Sequence, residues 1–76
     1  MRTEHDAQAA GFDLASELIA ARARAGLTQA QLAQRMGTTQ SAVARIENGR
    51  RAPSMRTVQR YASATGTRAV LRLEPQ

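Results

Sequence analysis

The stretch LTQAQLAQRMGTTQSAVARIENG, residues 27–49, predicts two short helices and the turn between them. Thr28 and Gln31 have the spacing of a capping box, in which each side chain accepts a backbone N–H left unpaired at a helix start. Gly37 can adopt the left-handed conformation that ends a helix, because it has no Cβ. The helix that ends at Gly37 is therefore about two turns long.

Another helix begins directly after this glycine. Either Thr38 or Thr39 can cap it, and Val43 and Ile46 are spaced to share one inward face. Two short helices joined by a tight turn that contains glycine have the geometry of a helix-turn-helix. The stretch is therefore predicted to be such a motif.

The opposite, outward face of the helix that follows Gly37 is polar. Its residues are Gln40, Ser41, Ala44, Arg45 and Asn48. Gln can bind adenine through two hydrogen bonds, Arg can bind guanine, and Ala can contact the methyl group of thymine. The first four residues are therefore candidate base contacts, and an ordinary solvated helix face is the alternative.

Further helices are predicted on both sides of the motif. A first helix spans roughly 13–25, and Ser54 can cap a fourth helix that ends at Gly66. Residues 1–11 carry no apolar stripe, so they are predicted to form a flexible N-terminal arm. The helix-turn-helix domain is then predicted to span 12–66.

The last ten residues, 67–76, change to an alternating pattern that is typical of a β-strand. A lone strand is not stable in water, so it is predicted to pair antiparallel with the same strand of a second chain. The residues of this predicted dimer contact are Ala69, Val70, Leu71, Arg72 and Leu73. A frayed terminus is the alternative.

The composition of the 76 residues excludes several classes of function. There is no Cys, and the one His is His5, so His- or thiolate-based metal sites have too few ligands. The longest apolar run is residues 18–21, far shorter than a membrane span. No phosphate loop or nucleophile–base pair is recognisable. We therefore expect no enzyme, no cofactor and no membrane association, and a cytoplasmic location.

The net charge of +5 lies wholly in the second half of the chain. Four arginines balance four acids in residues 1–38, whereas seven arginines face two acids in residues 39–76. A basic half on a small domain is typical of proteins with a polyanion partner, and solubility alone is the alternative. One Tyr and one Phe are too few for the aromatic stacking of RNA-binding domains.

Residues 27–66 resemble the Cro/repressor-type helix-turn-helix domains, also called the XRE family. The motifs that carry the resemblance are LTQ, LA, the MGTT turn and IENG. They imply an all-α, compact, four- to five-helix lambda-repressor-like domain. The tail TRAVLRLEPQ is similar to that of HigA- and HipB-like antitoxins, whose terminal β-strands pair across a dimer.

The resemblance also implies roles for individual side chains. Gln40, Ser41, Ala44 and Arg45 would contact bases. The implied phosphate contacts are Gln29, Thr38, Thr39, Asn48, Arg50 and Arg51. Helix N-termini favour anions, which suits Gln29, although cap chemistry is the alternative there. Glu47 matches an acid that pairs in the family with an arginine of the first helix, here Arg22, so a partly buried salt bridge is expected.

The predicted function is that of a sequence-specific transcriptional repressor. A homodimer would bind double-stranded DNA at an inverted-repeat operator in the nucleoid. The similarity of the tail implies the antitoxin of a toxin–antitoxin pair, which autoregulates its operon and neutralises a toxin by direct binding. The alternative is a stand-alone XRE-type regulator with no toxin partner.

Overall fold

Four helices make up the regular structure of residues 14–76, the part of the chain that the computed structural model describes. They are α1 (residues 14–24), α2 (Gln29–Met36), α3 (Gln40–Glu47) and α4 (Met55–Ala64). The predicted arm at 1–11 and the predicted start of the first helix at residue 13 lie outside the described residues. The helices at 14–76 agree with the all-α prediction.

The start of α2 is the predicted capping box. The Thr28 hydroxyl accepts the backbone N–H of Gln31 at 3.0 Å, and the Gln31 side chain accepts the backbone N–H of Thr28 at 2.9 Å. Gly37 ends the helix with φ +69°, in the left-handed region that favours glycine. Thr39 then caps α3 by accepting the N–H of Ala42 at 3.1 Å. These local hydrogen bonds keep the turn between α2 and α3 short.

The hydrophobic core lies where α2 packs against α3 and α4. Leu32 of α2, Val43 of α3 and Tyr61 of α4 are fully buried, and Leu18 of α1 packs against them. Val43 therefore faces inward as predicted, while Ile46 is half-buried at the edge of the core. Burying this face of α3 leaves its opposite side on the surface.

Two arginines link α2 and α4 at their C-terminal ends. Arg60 of α4 donates to the carbonyl of Met36 at 2.6 Å, and Arg35 of α2 donates to the carbonyl of Ala64 at 3.3 Å. Each guanidinium thus binds a carbonyl that has no partner within its own helix. The two contacts hold α2, and with it the turn into α3, against α4.

Residues 67–76 form neither helix nor strand in the single chain. They form no strand because residues 14–76 contain no β-strand that could pair with their backbone groups. Val70, Leu71 and Leu73 are 77%, 68% and 87% exposed. The tail also borders a groove of about 630 Å³ whose other walls are α1 and α4. Strand formation across a dimer stays a prediction.

Candidate nucleic-acid interface

The outward face of α3 carries the side chains predicted to contact bases. Gln40, Ser41 and Arg45 are exposed, and Ala44 is half-buried beside them. Val43, on the opposite side of the helix, is fully buried. This face therefore combines two amide or hydroxyl groups, one guanidinium and one methyl group, which together can form polar and apolar contacts to base edges.

The N-termini of α2 and α3 meet beside this face. The side chain of Gln29, at the first position of α2, lies 3.5 Å from that of Gln40, at the first position of α3. Both helices point unpaired backbone N–H groups in the direction of their N-termini, where an anion such as a phosphate is favoured. The structure therefore brings together predicted phosphate contacts and predicted base contacts.

A basic groove of about 530 Å³ continues from the other end of α3 into the α3–α4 loop. Four of the predicted phosphate contacts line it, together with the base candidate Arg45: Thr38, Asn48, Arg50 and Arg51. Asn48 also shapes the loop, because its side-chain oxygen accepts the backbone N–H of Arg50 at 2.9 Å. Among residues 14–76, no acidic side chain lines the groove, so its charge suits a polyanion.

Arg60 completes this groove, and sequence reasoning did not identify it. It belongs to α4, outside the two-helix motif, and its position follows from how α4 packs against α2. A pattern within one helix carries no information on that packing. Its bond to Met36 shows that Arg60 also has a structural role.

Glu47, at the end of α3, accepts hydrogen bonds from four donors. The guanidinium of Arg22 binds both carboxylate oxygens, at 2.7 and 2.9 Å. Tyr61 Oη donates at 2.5 Å, and Gln29 Nε2 donates at 3.0 Å. Only 4% of the Glu47 side chain is exposed. The structure therefore contains the ion pair between Arg22 and Glu47, and embeds it in a larger network.

These contacts keep the Glu47 carboxyl ionised. Burial alone would raise its pKa, but the hydrogen bonds from Arg22, Tyr61 and Gln29 outweigh burial and hold the pKa below its usual value. Burial and the neighbouring carboxylate raise the pKa of Tyr61 far above its usual value, so the phenol stays protonated and donates. The network is fully satisfied at neutral pH.

The hydroxyl bond of Tyr61 was the main feature of this site that the sequence left unidentified. Tyr61 is fully buried in the core, and sequence reasoning assigned no partner to its hydroxyl. A signal was available, because a buried Tyr hydroxyl needs an acceptor and Glu47 is the only acid in residues 18–73. That argument could have linked α4 to α3.

The comparison with protein families identifies the domain. A model described as helix-turn-helix matches residues 18–71, which covers all of α2, α3 and α4. The chain belongs to the XRE helix-turn-helix family. This XRE protein is accordingly a sequence-specific DNA-binding transcriptional regulator. No curated protein and no solved structure gives a significant match.

Residues 14–76 of the XRE protein lack both a membrane-spanning helix and a cluster of metal ligands. None of its helices has the length and apolar character that crossing a bilayer requires. These residues also contain no group of three or more His, Cys, Asp or Glu side chains that could hold a metal ion.

Proposed function

We propose that this protein is a transcriptional repressor that binds an inverted-repeat operator as a homodimer and inserts α3 into the major groove of cytoplasmic DNA. The observation that carries the proposal is the orientation of α3, whose Gln40, Ser41 and Arg45 are exposed while Val43 is fully buried. A helix with this division can rest on the protein through one face and contact base edges with the other.

The proposed phosphate contacts flank this helix on both sides. Gln29 and Thr39 lie at the N-termini of α2 and α3, and Arg50 and Arg51 lie in the loop after α3. Phosphate contacts fix the position of the protein on the duplex, whereas base contacts determine which sequence it selects. Their placement at both ends of α3 supports a helix held along the groove.

Residues 67–76 support the proposed homodimer. They expose three large apolar side chains, those of Val70, Leu71 and Leu73, and have no pairing partner within their own described chain. An antiparallel pair of such segments about a two-fold axis would satisfy their backbone groups. The two copies of α3 would then read half-sites about 34 Å apart, one turn of the duplex.

Selection of binding sites from random duplexes tests the DNA part of the proposal. We expect Gln40→Ala and Arg45→Ala each to relax the selected sequence at one position, at a cost of about 1–3 kcal/mol for the preferred base. Arg24→Ala is the matched control, because it removes an exposed charge from the groove between α1 and the tail. Unchanged selection by both α3 variants would contradict the proposal.

Sedimentation of the full chain and of a chain ending at Gly66 tests the dimer. We expect a dimer for the full chain and a monomer for the shorter one, because the proposed pairing segment is missing. Leu71→Arg provides a second test that keeps the chain length, since it places a charge at an apolar contact. Equal masses for all three proteins would rule out dimerisation through the tail.

We also propose that the protein is the antitoxin of a toxin–antitoxin pair, with DNA binding serving autoregulation. The similarity of residues 67–76 to HigA- and HipB-like tails supports this role. Expression of the neighbouring open reading frame with and without this protein tests it: growth arrest that is relieved by co-expression, together with co-purification, is expected. A harmless neighbour that does not co-purify would leave the stand-alone regulator.

A further inference from the structure

A continuous chain of side-chain hydrogen bonds runs from the core to the proposed base-reading face. Arg22 and Tyr61 donate to Glu47 from within the protein. On the outer side, Gln29 Nε2 donates to Glu47 at 3.0 Å, and Gln40 Nε2 donates to Gln29 Oε1 at 3.5 Å. The exposure of the three side chains rises in the same order, from buried Glu47 to half-buried Gln29 and then to exposed Gln40.

The chemistry of the carboxylate sets the direction of every bond in this chain. An ionised carboxylate only accepts hydrogen bonds, so Gln29 must turn its NH₂ group toward Glu47. The Oε1 atom of Gln29 then faces Gln40, which must present its own NH₂ group in turn. One N–H and the Oε1 atom of Gln40 have no partner among residues 14–76, and their order on the surface is fixed.

We propose that Glu47 is a positioning residue for sequence recognition: through Gln29 it fixes the order in which Gln40 presents its donor and its acceptor to a base pair. This inference rests on the proposed placement of α3 in the major groove. An unrestrained amide can turn by 180° and offer the two groups in either order. A·T and T·A present the N6 donor and N7 acceptor of adenine in opposite orders across the major groove, from one strand to the other. A fixed amide therefore distinguishes A·T from T·A.

The position of Glu47 suits this role. Its carboxylate is held by a two-point contact to Arg22 and by Tyr61, so it has little freedom to move away from Gln29. Gln29 is additionally fixed by its place at the start of α2, behind the Thr28 cap. The long Gln40–Gln29 contact need contribute little energy, because its effect is to exclude an arrangement in which two amide oxygens face each other.

The test begins with the base pair that Gln40 reads. Binding-site selection with Gln40→Ala identifies the position, and four duplexes that differ only there are then titrated by fluorescence anisotropy. For Gln29→Met, which keeps the side-chain volume but removes the amide, we expect the ratio of Kd values for T·A and A·T to fall about fivefold or more. Arg50→Ala is the control, because loss of a proposed phosphate contact should weaken all four duplexes alike.

Glu47→Gln addresses the carboxylate directly. The new amide can donate to Gln29 and so allow its side chain to turn, which is expected to lower the same ratio. The double variant Gln29→Met with Glu47→Gln should lose no more discrimination than either single variant, because both act through one amide. Titration of the fraction of protein that is competent to bind DNA, at a temperature below the melting temperature, separates this effect from a loss of folded protein. If Glu47→Gln does not fold, Gln29→Met alone tests the link to Gln40.

The outcomes separate this inference from the proposed function. A wild-type ratio in Gln29→Met, alongside relaxed selection in Gln40→Ala, would overturn the positioning role and leave the placement of α3 intact. A uniform loss of affinity in Gln29→Met would also overturn it, since Gln29 would then act only on phosphate. Unchanged selection by Gln40→Ala would overturn both.

Discussion

Replacing Tyr61 with Phe removes one hydroxyl from the centre of the molecule. The ring stays in a site that is fully buried, so apolar packing is retained. What is lost is the 2.5 Å hydrogen bond to Glu47, a carboxylate whose side chain is only 4% exposed. The substitution therefore measures the contribution of one donor to a buried charge.

The size of the effect follows from the charge on the acceptor. A hydrogen bond to a charged group contributes about 1.5–3 kcal/mol, and water cannot easily replace the lost donor at this depth. We expect Tyr61→Phe to lower the free energy of unfolding by about 2 kcal/mol at neutral pH. In a domain of this size that corresponds to a fall in Tm of roughly 8–16 °C.

The effect should depend on pH in a direction set by Glu47. The pKa of Glu47 in the folded protein lies below its ordinary value of 4.5, so its contribution is complete above that value and is lost as the pH falls through the folded pKa. Removing a donor from the carboxylate brings its pKa closer to the ordinary value. The difference between wild type and Tyr61→Phe should therefore shrink in acid.

Urea denaturation followed by circular dichroism at pH 7 and at a series of lower pH values measures both effects. Ser63→Ala is the control, because it removes an exposed hydroxyl from the same helix and should change stability by less than about 0.5 kcal/mol. A loss in Tyr61→Phe no larger than that control, or one that stays constant into acid, would refute the role assigned to the hydroxyl. All chains are compared at one protein concentration, because dimerisation would add to stability.

Three further substitutions test single features of the fold and of the proposed interface. Thr28→Ala removes the capping-box hydroxyl and should cost about 1 kcal/mol in thermal denaturation, with no loss if the cap is unimportant. Gly37→Ala meets no atom within 4 Å but places a Cβ at φ +69°, so it should cost roughly 1–2 kcal/mol in the same assay. Arg51→Ala should reduce the slope of log K against log salt by about one in anisotropy titrations, and an unchanged slope would exclude its phosphate contact.

The sequence predicted the ends of the helices well because those ends are determined locally. Thr28 with Gln31, Thr39 and Ser54 each bind an N–H within three residues along the chain, and Gly37 acts through its own backbone. Such contacts do not depend on how distant elements pack. The outward face of α3 was equally accessible, since burial of Val43 determines which side chains remain exposed.

The contacts that could not be predicted join residues far apart in sequence. Tyr61 reaches Glu47 across 14 residues, and Gln29 reaches it across 18, so both depend on how α2 and α4 pack around α3. The resemblance to a family supplied one such link, from Arg22 to Glu47. The pairing of residues 67–76 depends on a second chain, and so a single chain cannot contain it.

The network around Glu47 also raises the question of why a buried charge is present at all. Apolar residues of similar size often stabilise a fold as well as a buried ion pair does. We therefore expect the triple variant Arg22→Met, Glu47→Leu, Tyr61→Phe to unfold at a urea concentration near that of the wild type, because no charge is left unpaired in the core. Gln29, however, loses its acceptor in this variant.

If the network exists for stability alone, the triple variant should select the same operator as the wild type. If Glu47 orients Gln29 and Gln40, the variant should stay folded and bind DNA while discriminating less between A·T and T·A. Measuring the unfolding midpoint and the ratio of the two Kd values on the same preparation distinguishes these cases. A variant with normal stability and unchanged discrimination would show that the carboxylate is dispensable for recognition.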